Sequence, residues 1–130
     1  MYVLDTNTLI YFFKGMGNVA ATLLEKKPQQ ISIPAIVLYE LEVGIEKSKS
    51  PVKKRQQLAT LTSTVRILPF DTEEVSHAAA IRASLENQGQ PIGPYDVLIA
   101  GTTMANNGIL VTHNTSEFSR IQGLQIEDWY

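Results

Sequence analysis

The chain has no cysteine, only two histidines (His77 and His113) and a single tryptophan. Without thiols there is no disulfide, no thiolate zinc site and no cysteine nucleophile. Two histidines cannot make a three-histidine zinc site either. Long apolar runs are missing too: Ala35 to Tyr39 stops at Glu40, far short of the roughly 20 residues of a membrane span. The opening residues, Met1 to Asp5, lack the basic lead and cleavable apolar stretch of a secretory signal. The expectation is a cytoplasmic protein with no membrane partner. Neither sign of charge is in great excess: 13 acids against 11 bases give a net charge of −2. Taken alone, that mild acidity argues against a nucleic-acid partner.

What is present is a chain that folds. Its 130 residues, 44% hydrophobic and 18% charged, fit one domain over residues 1–130. Tyr2-Val3-Leu4 reads as a short buried strand running into the turn-forming cluster Asp5–Thr8. Leu9 to Lys14 reads as a helix stopped by Gly15 and Gly17, and Asn18 caps a second, ended by Pro28. Ile31–Ile33 is a second strand, and Pro34 suits the first turn of a helix reaching about Lys47. Ser50-Pro51 opens a polar helix to about Ser63.

Val65 to Phe70 is a third strand, and Asp71 with Glu74 forms a capping-box pattern for a helix that Gly89 closes. Pro94 starts another helix, ended by Asn106-Asn107-Gly108. Ile109 to Thr112 is a fourth strand, followed by a polar loop, with a short fifth near Leu124 to Ile126. Apolar strands alternating with helices predict an α/β fold: a central parallel sheet of four to five short strands covered by helices. The binding crevice of such a sheet lies beyond the carboxyl ends of its strands.

Asp5 sits at such an end. It is either a plain helix cap, a task open equally to Thr6 and Asn7, or a carboxylate held for chemistry. Glu40 borders the buried stripe of its helix, with Ile36 and Val37 on one side and Val43 and Gly44 on the other. Glu42 lies about 200° around the helix and shares a solvated face with Glu46. Gly44 allows close approach of another backbone. Asp96 has the apolar and small neighbours Ile99, Ala100, Thr103 and Met104; its alternative role is to meet the dipole of a helix first turn. Glu117 follows the fourth strand, where exposure is the default.

Carboxylates aimed at one end of a sheet raise one another's pKa unless a cation intervenes. Oxygen ligands without histidine or cysteine favour Mg²⁺, with Mn²⁺ as a substitute. The chemistry implied is metal-assisted phosphoryl or phosphodiester transfer with an activated water.

Four motifs in order, DTN at Asp5–Asn7, ELxxG at Glu40–Gly44, PIGPYDVLIA at Pro91–Ala100 and VTHNTSEF at Val111–Phe118, resemble those of the PIN-domain ribonucleases. More narrowly, they and the closing Gly123–Trp129 resemble the VapC-type toxins of bacterial toxin–antitoxin modules. The resemblance implies a single PIN-like domain and a Mg²⁺-dependent endoribonuclease whose acidic triad is Asp5, Glu40 and Asp96. Many relatives carry an aspartate where this chain has Asn114, so Glu117 is the candidate for the fourth carboxylate. Thr6, Asn7 and Thr112 match positions that support the ligands by hydrogen bonding.

The resemblance also implies a structured RNA substrate, the anticodon region of initiator tRNA among the candidates. It implies an antitoxin lying along the apolar Leu9–Phe13 helix, and a homodimer. Lys47, Lys49, Lys53, Lys54 and Arg55, five of the eleven bases, either track an RNA backbone or form a solvated surface. Arg82 is an ion-pair candidate and His77 a core-edge one. Three rivals compete. Asp5–Thr8 is similar to the DxDxT of haloacid-dehalogenase-like phosphatases; His77 and His113 suit a metal-independent ribonuclease; and the chain suits a non-catalytic PIN-like binding module.

Overall fold

The computed structural model describes every residue from Met1 to Tyr130. Five short strands, β1 (Tyr2–Leu4), β2 (Ile31–Pro34), β3 (Arg66–Leu68), β4 (Ile109–Val111) and β5 (Gln125–Glu127), form one sheet in the order β3-β2-β1-β4-β5. Every pairing is parallel. Seven helices connect and cover it: α1 (Thr6–Lys14), α2 (Val19–Glu25), α3 (Ala35–Glu46), α4 (Pro51–Thr62), α5 (Thr72–Asn87), α6 (Pro94–Ala105) and α7 (Thr115–Phe118). The expected parallel α/β sheet is the observed one.

The centre of the sheet is its driest part. Val3 and Leu4 on β1 and Leu110 and Val111 on β4 have no exposed surface, and each such side chain stabilises the fold by about 1.5–3 kcal/mol. β1 and β4 register Leu4 against Val111, so the chain leaves both strands side by side at Asp5 and Thr112. α5 and α6 pack closely, because Gly101 has no side chain: a Cβ there would lie 2.6 Å from that of Ala78. The start of α5 is fixed by its capping box. Thr72 N–H donates to Asp71 Oδ1 at 2.8 Å and Asp71 N–H to Glu74 Oε1 at 2.9 Å. Asn106 at the end of α6 donates to the other oxygen of Glu74 at 3.2 Å.

Several boundaries differ from expectation for local reasons. Helix α1 begins at Thr6 rather than Leu9, because Asp5 caps it and the polar cluster is its first turn. Pro34 ends β2 and precedes α3 instead of opening it. β3 and β5 are shorter or shifted, as suits strands on the two edges of a sheet. The loop after β4 contains the four-residue α7.

Candidate active site

Asp5 is the most buried of the candidate acids, at 4% exposure. Its position is set from three sides. Its own N–H donates to Val111 O at 3.2 Å, its Oδ1 accepts from Thr8 N–H at 2.9 Å, and Thr8 Oγ1 donates to Val111 O at 3.0 Å. Burial pushes its carboxyl above the usual range, while hydrogen bonds from Thr112 and Thr8 oppose that and Asp128 adds to it. Asp5 therefore does cap α1, the task the sequence left open to Thr6 and Asn7. Thr6 has another partner: its hydroxyl donates to Glu40 Oε1 at 2.7 Å. Asn7 is exposed.

Glu40, half-buried on α3, is thus held towards the end of β1. Asp96 stands in the first turn of α6, also half-buried. Its carboxyl is pushed up to about 6, first by burial, then by the charges of Asp5, Glu117 and Glu40. Asp96 thus feels all three other candidate acids, and the crowding expected from the sequence falls chiefly on it. Burial is the first cause for Asp5 as it is for Asp96, but the only acid that adds to it at Asp5 is Asp128.

Glu117, expected to be exposed, is half-buried on α7. Asn114 Nδ2 donates to Glu117 Oε2 at 2.8 Å, while Asn114 N–H donates to Thr112 Oγ1 at 3.0 Å. Asn114 and Glu117 are therefore partners rather than alternatives: the amide aims the carboxylate. Behind them, His113 Nδ1 lies 2.9 Å from Asp128 Oδ2 and its ring stacks on Tyr130 at 4.2 Å. Burial acts to raise Asp128, but the Tyr130 N–H and His113 outweigh it and hold that carboxyl below its usual range.

The donor set is all oxygen, the kind preferred by a hard divalent cation that keeps several of its waters. No three or more of the His, Asp and Glu side chains stand ready to enclose an ion unaided. The fit is to an ion held by a few carboxylates, through its waters, and completed by substrate.

The expected basic strip divides. Lys47, Lys49, Lys53 and Lys54 are exposed. Arg55 is engaged by Glu46 at 2.8 Å and Glu42 at 3.4 Å, so it closes α4 onto α3 rather than standing free for RNA. Glu42 and Glu46 are correspondingly ion-paired. Lys54 and Lys14 reach a groove of about 290 Å³ between α1, α3 and α4, lined also by Ile10, Phe13 and Glu40. Gly44 opens onto this groove, where a Cβ would meet nothing within 4 Å; no second backbone approaches it. Arg82 pairs with Glu86 at 3.0 Å. His77 is half-buried, and its Nδ1 lies 2.9 Å from Glu73 O, so the two histidines have separate local partners and form no acid–base pair.

In the sequence Thr8 and Lys14 read only as parts of a turn cluster and a helix end, and Asp128 only as an acid of the polar tail. A hydroxyl three residues after a strand-end aspartate was the available signal for Thr8; no local pattern marks the other two.

The parallel α/β fold that carries these acids is one shared with known proteins. The model of the PIN domain family matches residues 2–124, and the chain belongs to that family. Nucleases of this family are metal-dependent. The chain is 37% identical to the tRNA(fMet)-specific endonuclease VapC of Salmonella typhimurium, over 98% of this chain and 97% of that one. It is 36% identical to the ribonuclease VapC2 of Rickettsia felis, covering 99% and 98%. The DNA-bound VapBC structure from Salmonella typhimurium superposes with a TM-score of 0.92 at 36% identity, covering 99% of this chain and 98% of that one. Within the PIN family the chain is a VapC-type ribonuclease toxin of the VapBC toxin–antitoxin systems. No helix is long and apolar enough to cross a membrane.

Proposed function

We propose that this ribonuclease cuts structured RNA, with the anticodon region of initiator tRNA as its target, at a Mg²⁺ site built on Asp5, Asp96 and Glu40. The observation that carries the site is the pressure on Asp96 from Asp5, Glu117 and Glu40 together. The target follows from the VapC relatives named for tRNA(fMet) at 35–37% identity.

Asp5 and Asp96 would hold the ion. When bound, Mg²⁺ supplies a Lewis acid for the scissile phosphate and lowers the pKa of the attacking water. Glu40, steadied by Thr6, accepts the proton from that water. Glu117, aimed by Asn114, completes the acidic ring, and Thr112 and Thr8 keep Asp5 from turning away. In-line attack by water leaves a 5′-phosphate and a 3′-hydroxyl. Lys47, Lys49, Lys53 and Lys54 track the RNA backbone, while Arg55 ties α4, which carries Lys53 and Lys54, to α3.

A cognate VapB-type antitoxin neutralises the enzyme, and its segment fills the groove beside Ile10 and Phe13, which ends at Glu40. The active unit is a homodimer. The deciding experiment incubates the purified chain with total bacterial RNA, with Mg²⁺, with Mn²⁺ and with chelator, and maps the cut ends. Mg²⁺-dependent cuts in the initiator tRNA anticodon loop are the expected result. Undiminished cleavage in chelator overturns the metal site, and cuts elsewhere overturn the target alone.

A further inference from the structure

Two tyrosines stand at the rim of the acidic site. Tyr39 on α3 immediately precedes Glu40, and Tyr95 on α6 immediately precedes Asp96. Their rings come from separate helices yet touch, with centroids 5.8 Å apart and planes tilted by 57°. They are 53% and 43% exposed. A single exposed aromatic residue needs no explanation. Two in contact, each adjoining a site acid in sequence, leave an angled pair of uncharged aromatic faces beside the place where a phosphate must come.

The surroundings narrow the choice of occupant. What both rings offer a ligand is an exposed aromatic face. The neighbouring carboxylates repel an acidic ligand from the same ledge. A nucleobase suits it: flat, uncharged, stackable on an aromatic face and bearing acceptors on its edge. RNA whose phosphate lies at Asp5 and Asp96 carries its adjoining bases to this rim.

We infer that Tyr39 and Tyr95 form a stacking ledge for one unpaired nucleobase flanking the scissile phosphate, so that the enzyme selects looped-out RNA over duplex. This rests on the assignment of cleavage to the acidic site. Base stacking on an aromatic side chain makes an alanine substitution cost roughly 5- to 150-fold; a phenylalanine, which keeps the ring, costs far less.

The test uses short RNAs spanning a cleavage site mapped in total RNA, one intact and a set with each nucleotide beside the cut made abasic in turn. Tyr39→Ala and Tyr95→Ala are expected to lower kcat/KM on the intact RNA by that factor, while Tyr39→Phe and Tyr95→Phe stay near the original enzyme. At one abasic position the original enzyme and the alanine variants should become equal. In chelator, a 2-aminopurine at that position should be quenched by the original protein and not by Tyr95→Ala. Unchanged kcat/KM in both alanine variants overturns the ledge, as does an equal loss at every abasic position. Loss of activity together with a halved mass in solution overturns it too, and assigns the pair to the contact between two copies. An Asp5→Asn variant, run alongside, separates the two ideas: if it still cuts, the acidic site itself is misassigned.

Discussion

Two groups of carboxylates in this fold behave in opposite ways. At the start of α5, Asp71 and Glu74 receive N–H donors from the backbone and from Asn106. Their negative charge is fully used in holding α5 to α6. At the carboxyl ends of β1 and β4, Asp96 gains three acidic neighbours instead. Partnered acids build structure; acids that crowd one another store a demand for a cation. The contrast rests on Asp96, which has acidic neighbours where Glu74 has donors.

The sharpest way to break this contrast is to neutralise one acid on each side. Asp5→Asn and Asp96→Asn should stay folded and lose RNA cleavage by more than the roughly 10- to 100-fold typical of a residue that merely supports a ligand. Initial rates on total RNA, with circular dichroism for the fold, check this, and full activity in either variant would falsify it. The same Asp5→Asn protein should also lose the Mg²⁺-dependent rise in Tm that a bound ion gives the original.

Glu74→Ala should do the reverse. It leaves the Asp71 N–H without its acceptor and Asn106 with only Thr102 O, costing about 1–3 kcal/mol in urea denaturation, with kcat little changed.

The pH dependence probes Asp96 more gently. Its carboxyl is raised from 3.8 to about 6, so within that window the folded protein keeps a proton that the unfolded chain has released. Stability from this group is therefore present at the acidic end and lost as pH rises through about 6. In chelator, the urea midpoint of the original protein should fall relative to Asp96→Asn between about pH 4 and pH 7. Parallel midpoints across that range would refute the raised carboxyl of Asp96, which burial and then its acidic neighbours produce. The smallest effect belongs to Arg55→Ala, whose exposed pairs with Glu46 and Glu42 are worth about 0.2–1 kcal/mol each; the same urea titration measures it.

Much of this site is legible in the sequence, because strand ends and helix faces are local properties. Asp5 follows an apolar run, Glu40 borders a buried stripe and Asp96 opens a helix. The charge balance follows as well: setting aside Asp5, Glu40, Asp96 and Glu117 leaves nine acids against eleven bases. What is not legible is what joins distant segments. The Thr8 hydroxyl reaches Val111 across 103 positions, and Tyr39 meets Tyr95 from another helix. Gly44 shows the same limit in reverse: its missing side chain suggests a close neighbour, yet the space beside it is open groove. Whether two helices approach at a glycine depends on the packing of the whole sheet.

The strand order also ties the acidic edge to the whole fold. One of the two neighbours of β1 is β4, and the Val111 carbonyl that fixes Asp5 and Thr8 lies 103 positions beyond Thr8. The Asn114–Glu117 pair stands just past that same strand. No single stretch of sequence carries both halves of this edge, so it exists only once β1 and β4 have met.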